Sequence, residues 1–557
     1  MKAPRLTTLR CVLFAALALA SATGSGLLLP TLNRQREEME LSGYTEIGDA
    51  PPSLVLGTTA TGPFRAIFIN MLWVRAMRLQ EEGKVFELVQ LYDWIGKLEP
   101  RFPMVWYYAA WNMAYNVSVK FPPVPGDERW RWVQRGIEIL RDKGIPYNRR
   151  APTLYRELAW IYHHKIGASL DDAHLYYKIR LATQMQRAFG RPPYARRVAA
   201  MAKAPASREA LLADAAVREL VERLNAAGVD PFALPLAVAH RSGELAPAAR
   251  AVLDEAAGSP ALARLDAFLR ARHLREELKL DPDKLEEDMD RFGPIDWRLP
   301  DAHALYWASR SIEVMGGDVD QAANADRILI YSVENLYRRG RLRFRPATEE
   351  RPAVYIPAQN FAFLPRVVAI RKAIVERYEG TAQEDPVRDN FLNFLREVIV
   401  DLFVRNARQT AQRYLDTLIE EGPEQEGLSL EEFVWDRVRE RLRGMTHDRV
   451  RGLVEGEYFQ ALQLLSHGLE EQAADHQRFA VWLRKKYNTV GGGARNPLPP
   501  ARELLKSALR QALLSFPDFQ KEVLRQRFPD LVRELEQELE EERGEPAPST
   551  PEASSPD

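Results

Sequence analysis

The chain holds a single cysteine among 557 residues, Cys11. That excludes an intramolecular disulfide and any metal site built on cysteines. Leu9-Arg10 precedes Cys11, whereas an acylated lipoprotein cysteine follows small residues at the end of an apolar run. Charge of one sign is also lacking: 77 Lys and Arg face 78 Asp and Glu, a net charge of -1. A nucleic-acid binder needs a clustered positive excess, so no nucleic-acid partner is expected. The motifs of common enzymes are missing too. There is no G-x-S-x-G elbow and no H-E-x-x-H pair. Gly491-Gly492-Gly493 is not followed by Lys-Ser/Thr, so it is no phosphate loop and reads as a hinge. A non-enzyme without a cofactor is expected.

Beyond Leu29 no stretch is long and apolar enough to span a membrane, but one stretch before it is. Lys2, Arg5 and Arg10 precede Cys11–Leu29, which carries no charge. A hydrocarbon core about 30 Å thick needs about 20 helical residues. Residues 1–30 therefore read as a signal-anchor, with the positive flank in the cytoplasm and the bulk of the chain outside it. The alternative is a signal peptide cleaved after Ala20-Ser21-Ala22, which would leave a periplasmic protein. The expected location is a bacterial-type cytoplasmic (inner) membrane, crossed once.

After a linker over 31–66, hydrophobic periodicity predicts six helices in three helix–turn–helix units: Phe68–Glu81, Gly83–Leu98, Met104–Asn116, Glu128–Arg141, Pro152–Lys165 and Asp171–Phe189. Leu72, Ala76, Gly83, Glu87, Tyr92 and Pro100 mark the first unit. Trp106, Ala110 and Met113 mark the second. Tyr155, Ala159, Tyr162, Ala173 and Tyr177 mark the third.

On these residues, segment 67–190 resembles the tetratricopeptide repeat family, whose period is about 34 residues. The match is partial. Leu88 replaces a usual small residue, Val117–Asp127 is an insertion, and the second unit lacks its closing proline. The resemblance implies an α-solenoid in which Ala76, Ala110 and Ala159 sit where paired helices cross. It also implies a concave groove lined by the first helix of each unit. Asn70, Trp73, Met77 and Gln80 then face the groove, with Met104, Tyr107, Trp111 and Tyr115, and with Thr153, Arg156, Trp160 and His163. Aromatic and methionine side chains with a few polar groups are the usual anchors of protein interfaces. The binding candidates are therefore Trp73, Met77, Met104, Tyr107, Trp111, Tyr115, Arg156 and Trp160, for a protein or peptide partner. The alternative is that other residues of the chain cover this row. Trp73, Met77, Tyr108, Thr153 and Glu157 stand where relatives that grip a C-terminal carboxylate carry Lys, Asn and Arg, so that mode is not expected.

Residues 191–293 are Ala-rich, with helices expected at Ser207–Ala226, Pro247–Glu255 and Ala261–Glu277. Asp230-Pro231, Gly258-Ser259-Pro260 and Asp281-Pro282-Asp283 act as breaks. A second repeat-like region is read over 294–424. Gly317–Ala322 carries a repeat-like turn, Arg341–Pro365 is a non-helical crossing, and Asn390–Glu420 is a helix pair turning at Asn406. C-terminal helices over 425–530 include Leu430–Arg441, Asp448–Tyr487 and Pro500–Phe516. Residues 531–557 form an acidic tail expected to be disordered.

One polar cluster has ligand chemistry: His163, His164, Asp171, Asp172 and His174. Imidazole and carboxylate suit zinc or manganese. The adjacent histidines diverge by about 100° on a helix, however, and either aspartate is a ready N-cap. The cluster reads as capping and surface polarity, and no metal is assigned.

The fold expected is all-α: membrane helix, tetratricopeptide-like solenoid, Ala-rich helices and a second helical array. The function expected is a membrane-anchored extracytoplasmic scaffold for protein–protein interaction. The alternatives are a metal-dependent enzyme built on the His/Asp cluster, or an accessory subunit of a transport or secretion complex.

Overall fold

The computed structural model describes Arg65–Gly544, apart from 124–126, 241–242, 317–318, 350, 423–426 and 490–491, together with Thr31, Arg34 and Gln35. The expected anchor Cys11–Leu29 and nearly all of the linker lie outside the described residues. So do the start of the Gly317–Ala322 turn and the tail beyond Gly544. Among the described residues, no helix is long and apolar enough to cross a membrane. The chain divides into two compact units, one ending at Arg377 and one beginning at Tyr378.

The first unit opens with three helical hairpins, as the periodicity predicts. They are α1 (Arg65–Glu81) and α2 (Val85–Leu98), α3 (Pro103–Trp111) and α4 (Glu128–Glu138), and α5 (Pro152–Trp160) and α6 (His174–Phe189). Prolines at the first turns of α3 and α5 cost nothing there, because those N–H groups lack helical partners. Gly83 ends the first turn at φ 71°, a region open to glycine. Three helices continue into wider π turns: α3 through Asn112–Val117, α4 through Ile139–Gly144 and α5 through Ile161–Gly167. The apolar periodicity alone does not mark them. Ala76, Ala110 and Ala159 are fully buried. Trp106 is buried as well; a Cβ on Gly96 would lie 2.6 Å from its ring, and one on Gly144 would lie 2.9 Å from the Trp106 Cβ. Its indole N–H donates to the Pro100 carbonyl at 2.7 Å.

The Ala-rich segment forms α7 (Ala195–Ala202), α8 (Arg208–Leu212), α9 (Ala215–Ala226), α10 (Pro235–His240), α11 (Pro247–Glu255), α12 (Pro260–His273) and α13 (Pro282–Phe292). The helix expected over Ser207–Ala226 is broken. Asp214 accepts from the N–H groups of Ala216 and Val217 and so starts α9 afresh. Ser259 and Asp281 likewise cap α12 and α13, each ahead of a first-turn proline. Two of the three expected breaks are thus helix starts, while Asp230-Pro231 lies in a turn ahead of α10. Val217, Leu220, Leu224, Leu253, Leu265 and Phe268 close a core of their own.

The chain then returns to the hairpins. Helices α14 (Pro300–Met315) and α15 (Val319–Arg339) pair, and both pack on α5. The Ala-rich helices therefore form an excursion between the third hairpin and its spatial neighbour. Arg341–Arg345 (β1) and Val354–Ala358 (β2) pair antiparallel, with Phe344 opposite Tyr355. This small hairpin is a departure from all-α. Strand β1 alternates arginine with Leu342 and Phe344, and β2 carries Val354, Tyr355 and Ile356, a pattern that Pro357 and the neighbouring prolines obscured. Helix α16 (Leu364–Arg377) closes the unit by packing on α15.

The second unit is helical: α17 (Glu384–Val404), α18 (Arg408–Glu421), α19 (Leu430–Leu442), α20 (His447–Ser466), α21 (Glu470–Thr489), α22 (Ala501–Ser515), α23 (Asp518–Arg527) and α24 (Pro529–Gly544). Asn406 turns α17 into α18 at φ 58°, as expected. The single helix expected over Asp448–Tyr487 is instead a hairpin, broken at Gly468 with φ 72°. The acidic segment expected to be disordered is helical as far as Gly544. Val532 and Leu535 are buried, and Glu534 and Glu538 pair with Arg502 and Lys506 of α22.

Candidate binding face

Several of the side chains expected to line a groove enter two runs of ring contacts, one over the first two hairpins and one over the second and third. Trp73 on α1 meets Tyr92 edge-on at 5.6 Å and Tyr108 at 5.9 Å. Tyr108 meets Tyr107 at 5.0 Å. One helical turn on, Trp111 stacks on Tyr115 at 6.0 Å. Tyr115 reaches the His164 ring at 5.8 Å, and His164 stacks on Trp160 at 4.7 Å. His163 continues the row onto Tyr331 of α15 at 5.9 Å. Edge-on and offset ring pairs at such distances add attraction beyond buried area.

The row is exposed at separate points along its length, Tyr331 at its far end being 37% exposed. Met77 is 62% exposed, Tyr108 45% and Trp111 38%. Trp73, Met104, Tyr107, Tyr115, Arg156 and Trp160 are half-buried. Tyr115, His163 and His164 all lie in π turns, which add a residue per turn and rotate the following side chains relative to a plain α-helix. Sequence reasoning placed Tyr108 only as a failed carboxylate-clamp position, although it bridges Trp73 and Tyr107. It assigned Tyr331 no role, because only the fold brings α15 beside α5.

The polar floor is held internally. Arg156 donates to Glu157 at 3.1 Å, and burial raises the Glu157 carboxyl above its ordinary range. Asp171 accepts from Lys165 at 2.6 Å, from Arg129 at 2.9 Å and from the Ala173 N–H at 2.9 Å. Asp172 pairs with the same Arg129. Asp171 therefore caps the turn before α6, not the helix itself, whose N-cap residue is Ala173. The five residues considered for a metal are drawn apart. His163 and His164 enter the aromatic row, the His174 Nδ1 faces the Lys178 ammonium at 2.9 Å, and the aspartates face cations. Among the described residues, no group of three or more His, Cys, Asp or Glu side chains converges as a ligand set.

The arrangement offers a ribbon of rings with polar edges, in which the Tyr115 hydroxyl lies 3.4 Å from the His164 Nδ1. Set against models of protein families and against curated proteins, the chain matches none.

Proposed function

We propose that this chain is a non-catalytic scaffold, tethered through Cys11–Leu29 to a bacterial-type cytoplasmic membrane with its bulk outside the cytoplasm. Its tetratricopeptide-like hairpins take up a protein or peptide partner. The observation that carries the reading is the aromatic row from Trp73 to Trp160, partly exposed at Met77, Tyr108 and Trp111. A folded protein seldom leaves contiguous apolar surface uncovered without a use for it. Large rings held by their neighbours lose little side-chain entropy on binding, which suits them as anchors.

The neighbourhood of α14 and α15 also supports a repeat array. They form a further helix pair that packs on α5. The test is site-specific photo-crosslinking from position 108 or 111 in intact membranes. A discrete adduct that disappears with Trp73→Ala supports the reading. Adducts only to residues of the same chain would overturn it.

A further inference from the structure

A second feature of the first unit has no place in that function. A cleft of about 580 Å³ opens where α6 ends, with Arg187, Gly190, Arg191, Arg197, His240 and Arg270 on its walls. Small-molecule sites fall in the range of about 300–1,000 Å³. The described lining contains no carboxylate; Thr183, Gln186, Pro346 and Ala347 complete it.

The cations are gathered by the end of a helix. Gly190 leaves α6 at φ 80°, and a Cβ there would lie 2.9 Å from the Arg197 guanidinium. Arg197 donates to the Phe189 carbonyl at 2.6 Å and to the Arg191 carbonyl at 3.1 Å. Arg270 donates to the Ala188 carbonyl at 2.8 Å, and the His240 Nε2–H donates to the Arg187 carbonyl. Capping the last carbonyls of α6 thus explains Arg197, Arg270 and His240. Arg270 is also neutralised by Asp266 at 2.9 Å, in an adjoining cavity of about 290 Å³.

Capping does not explain Arg187 and Arg191. Both are exposed, and among the described residues neither guanidinium has a hydrogen bond or an ion pair. Arg197 has carbonyl partners but no carboxylate. Three guanidinium groups without an ion pair among the described residues therefore share one concave site, with Asp266, which pairs with Arg270, in the adjoining cavity that Arg197 also lines. Planar guanidinium forks match the oxygens of a phosphate group, and several together favour a multiply charged anion.

We propose that this cleft binds a phosphate-bearing ligand, gripped by Arg187, Arg191 and Arg197 at the C-terminal end of α6. Two sources supply such a group: a soluble phosphate compound or the headgroup of an anionic lipid. The full chain is titrated with inorganic pyrophosphate by calorimetry, and its sedimentation with phosphatidylglycerol vesicles is measured in parallel. The parent is compared with Arg187→Gln/Arg191→Gln, which removes two side chains without structural partners. Arg196→Gln, also exposed but outside the lining, serves as the charge control. The expected result is millimolar or tighter binding to at least one probe. The double variant should weaken it tenfold or more and melt with the parent, and Arg196→Gln should change it less than threefold. Binding to pyrophosphate alone identifies a soluble ligand; loss confined to vesicles identifies a headgroup. Failure of the parent to bind either probe overturns the proposal, and so does equal binding by the double variant.

Discussion

A Cβ added to Gly136 would lie 2.8 Å from the backbone carbonyl oxygen of Ala110 and 3.0 Å from the Ala114 Cβ. Helices α3 and α4 therefore cross with nothing but hydrogen at this point. Glycine inside a helix ordinarily costs about 1 kcal/mol relative to alanine. Here the sign should reverse, because the clash is with backbone and cannot be relieved by a side-chain rotation. Gly136→Ala is expected to lower stability. Ala110→Leu, enlarging the other side of the same crossing, should cost about 1–3 kcal/mol. Denaturant unfolding checks both. A Gly136→Ala protein more stable than its parent would mean the helices do not approach this closely.

The tryptophans of the second hairpin divide by role. Trp106 is 4% exposed and fills the space over Gly96 and Gly144, so Trp106→Ala should cost about 3–5 kcal/mol. Trp111 is 38% exposed and has Tyr115 as its ring partner. Trp111→Ala should leave the melting temperature close to that of the parent and abolish crosslinking to a partner. A collapse in melting temperature for Trp111→Ala would make this residue core and move the binding face elsewhere.

Asp301 ties α14 to α15 from a fully buried position. Its carboxylate accepts from Arg339 at 2.8 and 2.9 Å and from Asn335 at 2.9 Å. Removing only the acid leaves a largely enclosed guanidinium without its countercharge. Asp301→Ala is expected to destabilise by about 3 kcal/mol. Asp301→Leu/Arg339→Met removes both charges and should recover most of that loss. Equal destabilisation by the single and the double variant would show that the ion pair itself, and not the stranded charge, carries the energy.

Much of the helical framework was legible because its signals are local. Apolar periodicity located all six helices of the hairpins, and Asn406 marked its turn through a backbone angle few residues adopt. Boundaries slipped where a cap competed with a helix, as at Asp214, or where one glycine broke a long stripe, as at Gly468. The aromatic row was legible only in part. Trp73, Trp111 and Trp160 follow from the geometry that the tetratricopeptide resemblance implies. Tyr331 required knowing that α14 and α15 return to α5 across the Ala-rich excursion, and no local signal encodes a contact over such a separation. The arginine cleft was illegible for the same reason. Arg187, Arg197, His240 and Arg270 come from four helices whose meeting point depends on tertiary packing.

His303 supplies the sharpest test of that packing. It is fully buried on α14, stacked on Tyr162 at 4.9 Å, and its Nε2–H donates to the Trp297 carbonyl at 2.9 Å. Burial disfavours the imidazolium and pushes its pKa down to about 4, against the pull of the Trp297 carbonyl and with help from Arg141. In the unfolded chain the same group titrates near 6.5. Between these values the unfolded state binds more protons, so stability is full above pH 6.5 and is lost as pH falls toward 4. At pH 5 the loss from this residue alone should be about 2 kcal/mol. His303→Gln keeps a donor for the carbonyl but cannot take a charge. Unfolding free energies measured at pH 7 and pH 5 should fall more steeply for the parent than for the variant, by about that amount. Carboxylates and the other histidines titrate alike in both proteins and cancel in the difference. Parallel pH dependence in the two would place His303 in contact with water and overturn its position in the core.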